Sequence, residues 1–160
     1  VDKLNYKQIV IQLPSQRPDP KDLPEAHRIN NLHIAGKDDE LPYEGMMLTT
    51  IVAEAERMVQ LEHGPAKFDL CMGVLTIGNV ALAGIPGEPF TAIGRAIKNA
   101  PGWDLVMPMC CTNGYEGYFP TMDAYLEGGY EARSSIFKAG VAEAVADTAV
   151  SMLNDIRKGE

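Results

Sequence analysis

Apolar and polar positions change their period several times along this chain, and each change marks an element. Ile9, Val10, Ile11 and Leu13 form a short, largely β-branched run that Pro14 closes, which predicts a strand. Residues 15–20, Ser-Gln-Arg-Pro-Asp-Pro, read as a turn-rich connector. A short helix is expected after Pro24, within residues 21–34, and residues 36–40 read as a solvated loop. Between 43 and 62 the period becomes helical. Leu48, Ile51, Val52, Ala55, Met58 and Val59 share one face, and Glu54, Arg57 and Gln60 fall opposite. Gly64 and Pro65 supply the stop signal.

Residues 68–76 and 79–85 read as two strands joined at Gly78-Asn79. Both are apolar on both faces, which places the hairpin in the interior of a sheet. It ends at Pro86-Gly87-Glu88-Pro89. A helix follows with Phe90, Ile93 and Ile97 inward, and Ala100-Pro101-Gly102 closes it. Residues 105–111 read as another buried strand. Residues 112–130 form a long loop rich in Tyr and Gly, where Thr121 suits the cap of a one-turn helix and Gly128-Gly129 its end. One last helix is expected over about 132–157, with Val141, Val145, Ala149, Met152 and Ile156 as its core stripe. The order strand, helix, hairpin, helix, strand, helix predicts an α/β fold, a mixed β-sheet layered with helices. No internal repeat and no low-complexity segment interrupts it.

Composition changes the picture only by exclusion. A chain of 160 residues, 46% hydrophobic and 22% charged, is expected to form one domain over 1–160. Its formal net charge of −8 speaks against a nucleic-acid surface and against docking on anionic lipid by charge. Cys71, Cys110 and Cys111 match neither a zinc-knuckle nor a redox spacing. In their apolar contexts they read as buried reduced thiols, which leans toward the cytoplasm. No stretch approaches the ~20 apolar residues of a transmembrane segment. The opening Val1-Asp2-Lys3 has no initiator Met and no signal-peptide core, as expected of a processed product, a domain piece or a fragment.

Two segments depart from local structural logic. In the first, a buried strand runs straight into Glu88. With Pro89 at the first helical position, Glu88 would be the helix cap, a place better suited to Ser or Asp. The dipole of the helix could justify a carboxylate there. So could a site, because α/β sites collect at the C-terminal ends of strands. In the second, Tyr115, Tyr118, Tyr125 and Tyr130 crowd sixteen residues of irregular structure. Either they roof the domain with wet hydroxyls, or one or two point into a cleft. A nearby cation could lower a Tyr hydroxyl enough to make a phenolate ligand.

Pro86-Gly87-Glu88, with Gly94-Arg95 six and seven residues after the Glu, resembles the Pro-Gly-Glu…Gly-Arg block of neutral ceramidases. Asn113-x-Tyr115-x-x-Tyr118, followed twelve residues later by Tyr130-Glu131-Ala132, resembles that family's Asn-x-Tyr-x-x-Tyr…Tyr-Glu block. Ser134 and Phe137 fit the Ser and the aromatic that follow. The resemblance is firm over about residues 74–138 and thin before that. It implies a zinc-dependent hydrolase of the N-acyl bond of ceramide. By that resemblance Glu88 and Tyr118 are zinc ligands, and Tyr130 lies beside the substrate and helps polarise the scissile group. It also implies that two His ligands and a Ser nucleophile come from an upstream N-terminal region, with this chain as the C-terminal part of a larger catalytic domain. Pro89 and Phe90 stand where the family has Phe-Thr, so the turn after Glu88 is expected to be stiffer. The segment between the two blocks is shorter than in the long ceramidases, as in a compact bacterial-type relative.

The chain's own histidines do not complete such a site. His27 and His33 are six apart, not a helical i, i+4 pair, and His63 falls at a helix C-terminus. All three read as surface residues, and Ser134 and Ser135 read as openers of the last helix. Two functions therefore stand side by side. One is part of a ceramidase-like amide hydrolase acting on an N-acyl lipid or other amide. The other is a non-catalytic α/β module that packs an apolar face against a partner chain or domain.

Overall fold

The computed structural model describes residues 3–159. Val1 and Asp2, on which the reading of the chain start rests, lie outside them. Strand β1 (Leu4–Pro14) begins earlier than its apolar run, because β2 offers it eleven consecutive partners, from Leu4↔Ile77 to Pro14↔Lys67. Helices α1 (Leu23–Ile34) and α2 (Gly45–Leu61) come next, separated by a 3₁₀ turn, Asp38–Glu40, where a plain loop was expected. They pack on each other through Ala26, Ile29, Leu41, Val52 and Ala55.

The hairpin forms as the pattern predicts. Strand β2 (Lys67–Ile77) turns at Gly78, φ +57°, into antiparallel β3 (Val80–Gly84). After β3 the chain makes a two-residue strand β4 (Glu88–Pro89), helix α3 (Thr91–Lys98) and strand β5 (Leu105–Met109). Strand β5 lies parallel to β3, so the sheet is mixed, in the order β1-β2-β3-β5, with the hairpin strands interior. A second short strand, β6 (Tyr118–Phe119), and helices α4 (Met122–Glu127), α5 (Tyr130–Ser134) and α6 (Val141–Lys158) complete the chain. One face of the sheet, carrying Leu70, Met72, Val74, Ala81, Ala83 and Val106, packs on Ile93 and Ile97 of α3 and on Val145, Ala149 and Met152 of α6. No helix among the described residues is long and apolar enough to cross a membrane.

Five expectations are corrected. Strand β5 is an edge strand, not a buried one: Leu105, Met107 and Met109 alternate onto the sheet face away from the helices and are exposed. Cys110 and Cys111, just beyond it, are exposed and Cys71 is half-buried, so the thiols are free but not core residues. Glu88 does not cap α3. Glu88 and Pro89 are extended, and Phe90 holds the cap position (φ −63°, ψ 154°). The last helix is two helices. Between them Phe137 bridges to Ser15, and the Lys138 N–H donates to the Pro14 carbonyl. Phe137 is fully buried edge-to-face against Phe68 and Phe119. That tertiary pairing overrides the helical period, and Gly140, φ +103°, restarts it. Ser134 and Ser135 accordingly end α5 rather than opening α6.

The fifth correction is Arg57, expected on the polar face of α2 and found 6% exposed. Its Nε donates to the carbonyl of Arg133 at 2.7 Å, and its Nη1 to that of Gln16. Glu54 accepts from Arg133 at 3.1 Å beside it. Arg57 thus joins α2 to α5 and to the end of β1. Arg57→Met removes these donors and leaves two part-buried carbonyls without them, each costing about 1–3 kcal/mol. Thermal melting is expected to show a loss of roughly 2–4 kcal/mol, well above that of an exposed Arg such as Arg28→Met.

Candidate metal and substrate site

Strand β3 delivers the chain into Ile85-Pro86-Gly87, all buried. The loop after β5 wraps around this segment by backbone bonds. The Thr112 N–H donates to Ile85, Cys111 to Gly87 and Glu116 to Pro86, at 2.8–2.9 Å. Gly87 is dictated by crowding: a Cβ there would lie 2.6 Å from the Gly117 carbonyl and 2.8 Å from the Phe119 ring. Asn113 takes φ +65°, the left-handed region that Asn tolerates better than most residues.

This wrapping makes β4 and β6 a parallel pair in which Glu88 is the direct partner of Tyr118 and Pro89 of Phe119. The Glu88 N–H donates to the Gly117 carbonyl at 2.8 Å. Residues in register on adjacent strands face the same side. The Glu88 carboxylate and the Tyr118 phenol therefore project together, while Phe119, fully buried, anchors the strand behind them. Tyr130 opens α5 after Gly129, and its ring meets that of Tyr118 edge to face, centroids 6.0 Å apart at 74°. Tyr130 also lines an open groove of about 460 Å³ with Asn30, Arg57, Gln60 and Ser134. The three residues singled out by the sequence are thus one contiguous group, with Tyr130 between the carboxylate edge and the groove.

Tyr115 is an addition that sequence reasoning left without a role. Its hydroxyl donates to Glu88 Oε1 at 2.6 Å. That bond, with some desolvation and the carboxylate's charge, pushes the Tyr115 hydroxyl up to about 12. Tyr118 is also raised, by desolvation first and then by the charge of Glu88. Both phenols are therefore held neutral, and a cation beside Glu88 would reverse the sign for Tyr118. The folded-state value of Tyr115 lies above the ordinary value of about 10. Its contribution to stability is present below that value and lost as pH rises through about 12. Tyr115→Phe is expected to lower stability evenly near neutrality, where that contribution is present in full, and to flatten the alkaline part of a stability–pH curve.

The remaining candidates are placed elsewhere. His27 pairs with Glu62 at 2.8 Å and His33 with Asp38 at 2.9 Å, and His63 is 90% exposed. Tyr125 is structural, its hydroxyl donating to the Phe137 carbonyl at 2.6 Å beside Ser135 Oγ at 3.2 Å. Among the described residues, no three His, Cys, Asp or Glu side chains converge.

Known proteins resemble parts of this chain in sequence and in fold. The neutral ceramidase of Mycobacterium tuberculosis is 34% identical over 92 residues, covering 54% of this chain and 14% of that protein. A ceramidase solved in complex with C2 matches 59% of this chain and 15% of its own, at 25% identity and a TM-score of 0.51. This chain is thus similar to a part of the ceramidases. The solved neutral ceramidase of Pseudomonas aeruginosa, 19% identical, shares the fold over 99% of this chain with a TM-score of 0.62. No protein-family model matches. The chain spans between 14% and 29% of the length of these relatives. Their likeness supports the mixed, helix-layered α/β fold read from the pattern.

Proposed function

We propose that this chain is the C-terminal part of a zinc-dependent amide hydrolase of the neutral ceramidase type, supplying one edge of its metal and substrate site. The observation that carries the reading is the in-register pairing of Glu88 with Tyr118, with Tyr130 packed on Tyr118. The donor set fits zinc in kind but not in number. A catalytic zinc takes more protein ligands than two, His and carboxylate oxygens among them, and keeps a position open for water or substrate. Glu88 and Tyr118 would hold the ion from this side, and two His from an upstream region would complete it. Bound zinc would supply Lewis-acid polarisation of the acyl carbonyl.

What this chain's residues would do follows from their placement. Glu88 supplies the anionic oxygen, and the Tyr115 hydroxyl orients it by donating to Oε1. Tyr118 would serve as the second oxygen ligand, as a phenolate beside the cation. Tyr130 donates a hydrogen bond to the oxyanion that develops when an N-acyl bond is attacked. The groove beyond Tyr130, where Glu56 and Gln60 are exposed, offers polar groups to the substrate on that side. The substrate class is an N-acyl lipid or another amide.

The test is made on the gene product as its host makes it. It should retain about one zinc per chain after dialysis and hydrolyse a short-chain N-acyl amide, with activity lost to a chelator and restored by zinc. The 160-residue chain by itself should retain no stoichiometric zinc and hydrolyse neither ceramide nor a simple amide. Chelator-resistant turnover would remove the metal from the mechanism.

A further inference from the structure

Cys110 and Cys111 have no part in the proposed chemistry, yet they sit at its root. Both are free, both are exposed, and they are adjacent in the chain. Strand β5 ends at Met109, so the pair opens the loop that wraps Pro86-Gly87. Cys111 meets that segment twice. Its N–H donates to the Gly87 carbonyl at 2.9 Å, and its thiol donates to the same oxygen at 3.7 Å. It does so at φ +52°, in the left-handed region that few residues other than Gly enter. The third thiol, Cys71, lies on β2, where Gln8 Nε2 donates to its sulfur.

We propose that Cys110 and Cys111 are a redox-reactive dithiol that small-molecule disulfides oxidise to a Cys110–Cys111 disulfide, and that closing this ring breaks the Cys111–Gly87 backbone bond and draws Glu88 out of place. The second half rests on the proposed metal site, and the first half does not. The reaction is thiol–disulfide exchange. The Cys110 thiolate attacks a disulfide RSSR, forms a mixed disulfide and releases one RS⁻. Cys111 then attacks the Cys110 sulfur and releases the second. Two protein thiols lose two electrons and two protons, and RSSR is reduced to two RSH. Cys110 is the entering nucleophile because desolvation first, then the charges of Cys110 and Glu88, push the Cys111 thiol up.

Geometry couples the ring to the site. Consecutive Cα atoms are about 3.8 Å apart across a trans peptide, whereas disulfides join Cα atoms about 4.4–6.8 Å apart. The ring therefore closes only as the backbone at 110–111 moves, and that backbone holds Gly87. Gly87 has no slack, since even a Cβ there would lie 2.6 Å from the Gly117 carbonyl. That carbonyl accepts the Glu88 N–H, and Gly117 precedes Tyr118, so the shift reaches both register partners. Coupling of this kind is reciprocal, so an ion held by Glu88 and Tyr118 protects the thiols. A strained, exposed disulfide is also readily reduced, which makes the change reversible.

The test is made on the gene product as its host makes it, incubated with glutathione disulfide at neutral pH and read by peptide mass and zinc content. The peptide carrying Cys110 and Cys111 should lose two hydrogens. Zinc should bind roughly 10–100-fold more weakly, as when a partner supporting a metal ligand is removed, and dithiothreitol should restore it. Cys110→Ser cannot close the ring and should keep its zinc in the oxidant, while Cys71→Ser should behave as wild type. Removing zinc beforehand with a chelator should speed ring closure. A glutathione adduct that persists on either cysteine, or a disulfide to Cys71, overturns the dithiol. Ring closure with zinc retained, or equal zinc loss from wild type and Cys110→Ser, overturns its link to Glu88. A wild type that closes the ring but never held zinc keeps the dithiol and refutes the proposed metal site instead.

Discussion

Glu88→Ala in the zinc-loaded gene product is expected to lose metal and turnover together. Glu88 is the anionic oxygen of the pair, and Tyr118, its register partner, is held neutral by desolvation and by that same carboxylate. Without Glu88, the remaining phenol has lost the charge that draws a cation to it. Removing a supporting partner of a metal ligand costs 10–100-fold in affinity, so removing the ligand should cost more than about 100-fold. Glu88→Gln separates charge from shape. It keeps an oxygen for the Tyr115 hydroxyl, which donates at 2.6 Å, but carries no charge. Metal analysis after dialysis should find both variants empty while their melting curves stay close to each other. A Glu88→Gln protein that kept its zinc would mean that the carboxylate is not a ligand.

Tyr130→Phe should separate chemistry from metal. The ring is retained, so its edge-to-face contact with Tyr118 at 6.0 Å is retained, and zinc content should not change. Under the proposed role, what is lost is one donor aimed at developing negative charge. Such a donor contributes on the order of 10²–10³ in turnover, with KM little affected. Tyr125→Phe is the contrast, and the fold shows why. The Tyr125 hydroxyl bonds the Phe137 carbonyl and Ser135 Oγ, which fix the break between α5 and α6. Its loss should cost about 1–3 kcal/mol of stability and leave turnover per folded molecule unchanged. Equal kinetic effects of the two substitutions would remove the catalytic role from Tyr130.

The legible parts of this fold are those set by local pattern. The β2–β3 hairpin follows from apolar strands flanking Gly78-Asn79, and α2 follows from its 3.6-residue period. The illegible parts are tertiary. Residues 132–157 have helical composition throughout, but Phe137 gains a fully buried place between Phe68 and Phe119 only if the helix breaks. Arg57 reads as a polar-face residue because nothing in the spacing of α2 reveals that the carbonyls of Gln16 and Arg133 will need its donors. Strand β5 has the composition of a buried strand, but it lies at the edge of the sheet and its outer side chains are exposed on the face away from the helices.

The site shows the same division. Glu88, Tyr118 and Tyr130 were legible as family blocks, but their meeting depends on β4 and β6, two strands of two residues each. No pattern is long enough to signal such strands. They form because the loop from 110 to 117 wraps Pro86-Gly87 by backbone hydrogen bonds. Tyr115 gained its contact with Glu88 from that wrap alone. Its spacing from Tyr118, three residues in a loop, carried no direction.

The measurement that bears most directly on the shared metal is anomalous scattering at the zinc absorption edge from crystals of the gene product. A single peak about 2.0–2.2 Å from both a Glu88 carboxylate oxygen and the Tyr118 hydroxyl is the expected result. A peak that touches neither, with Glu88 still engaged only by the Tyr115 hydroxyl, would contradict the assignment of this edge as half of a metal site.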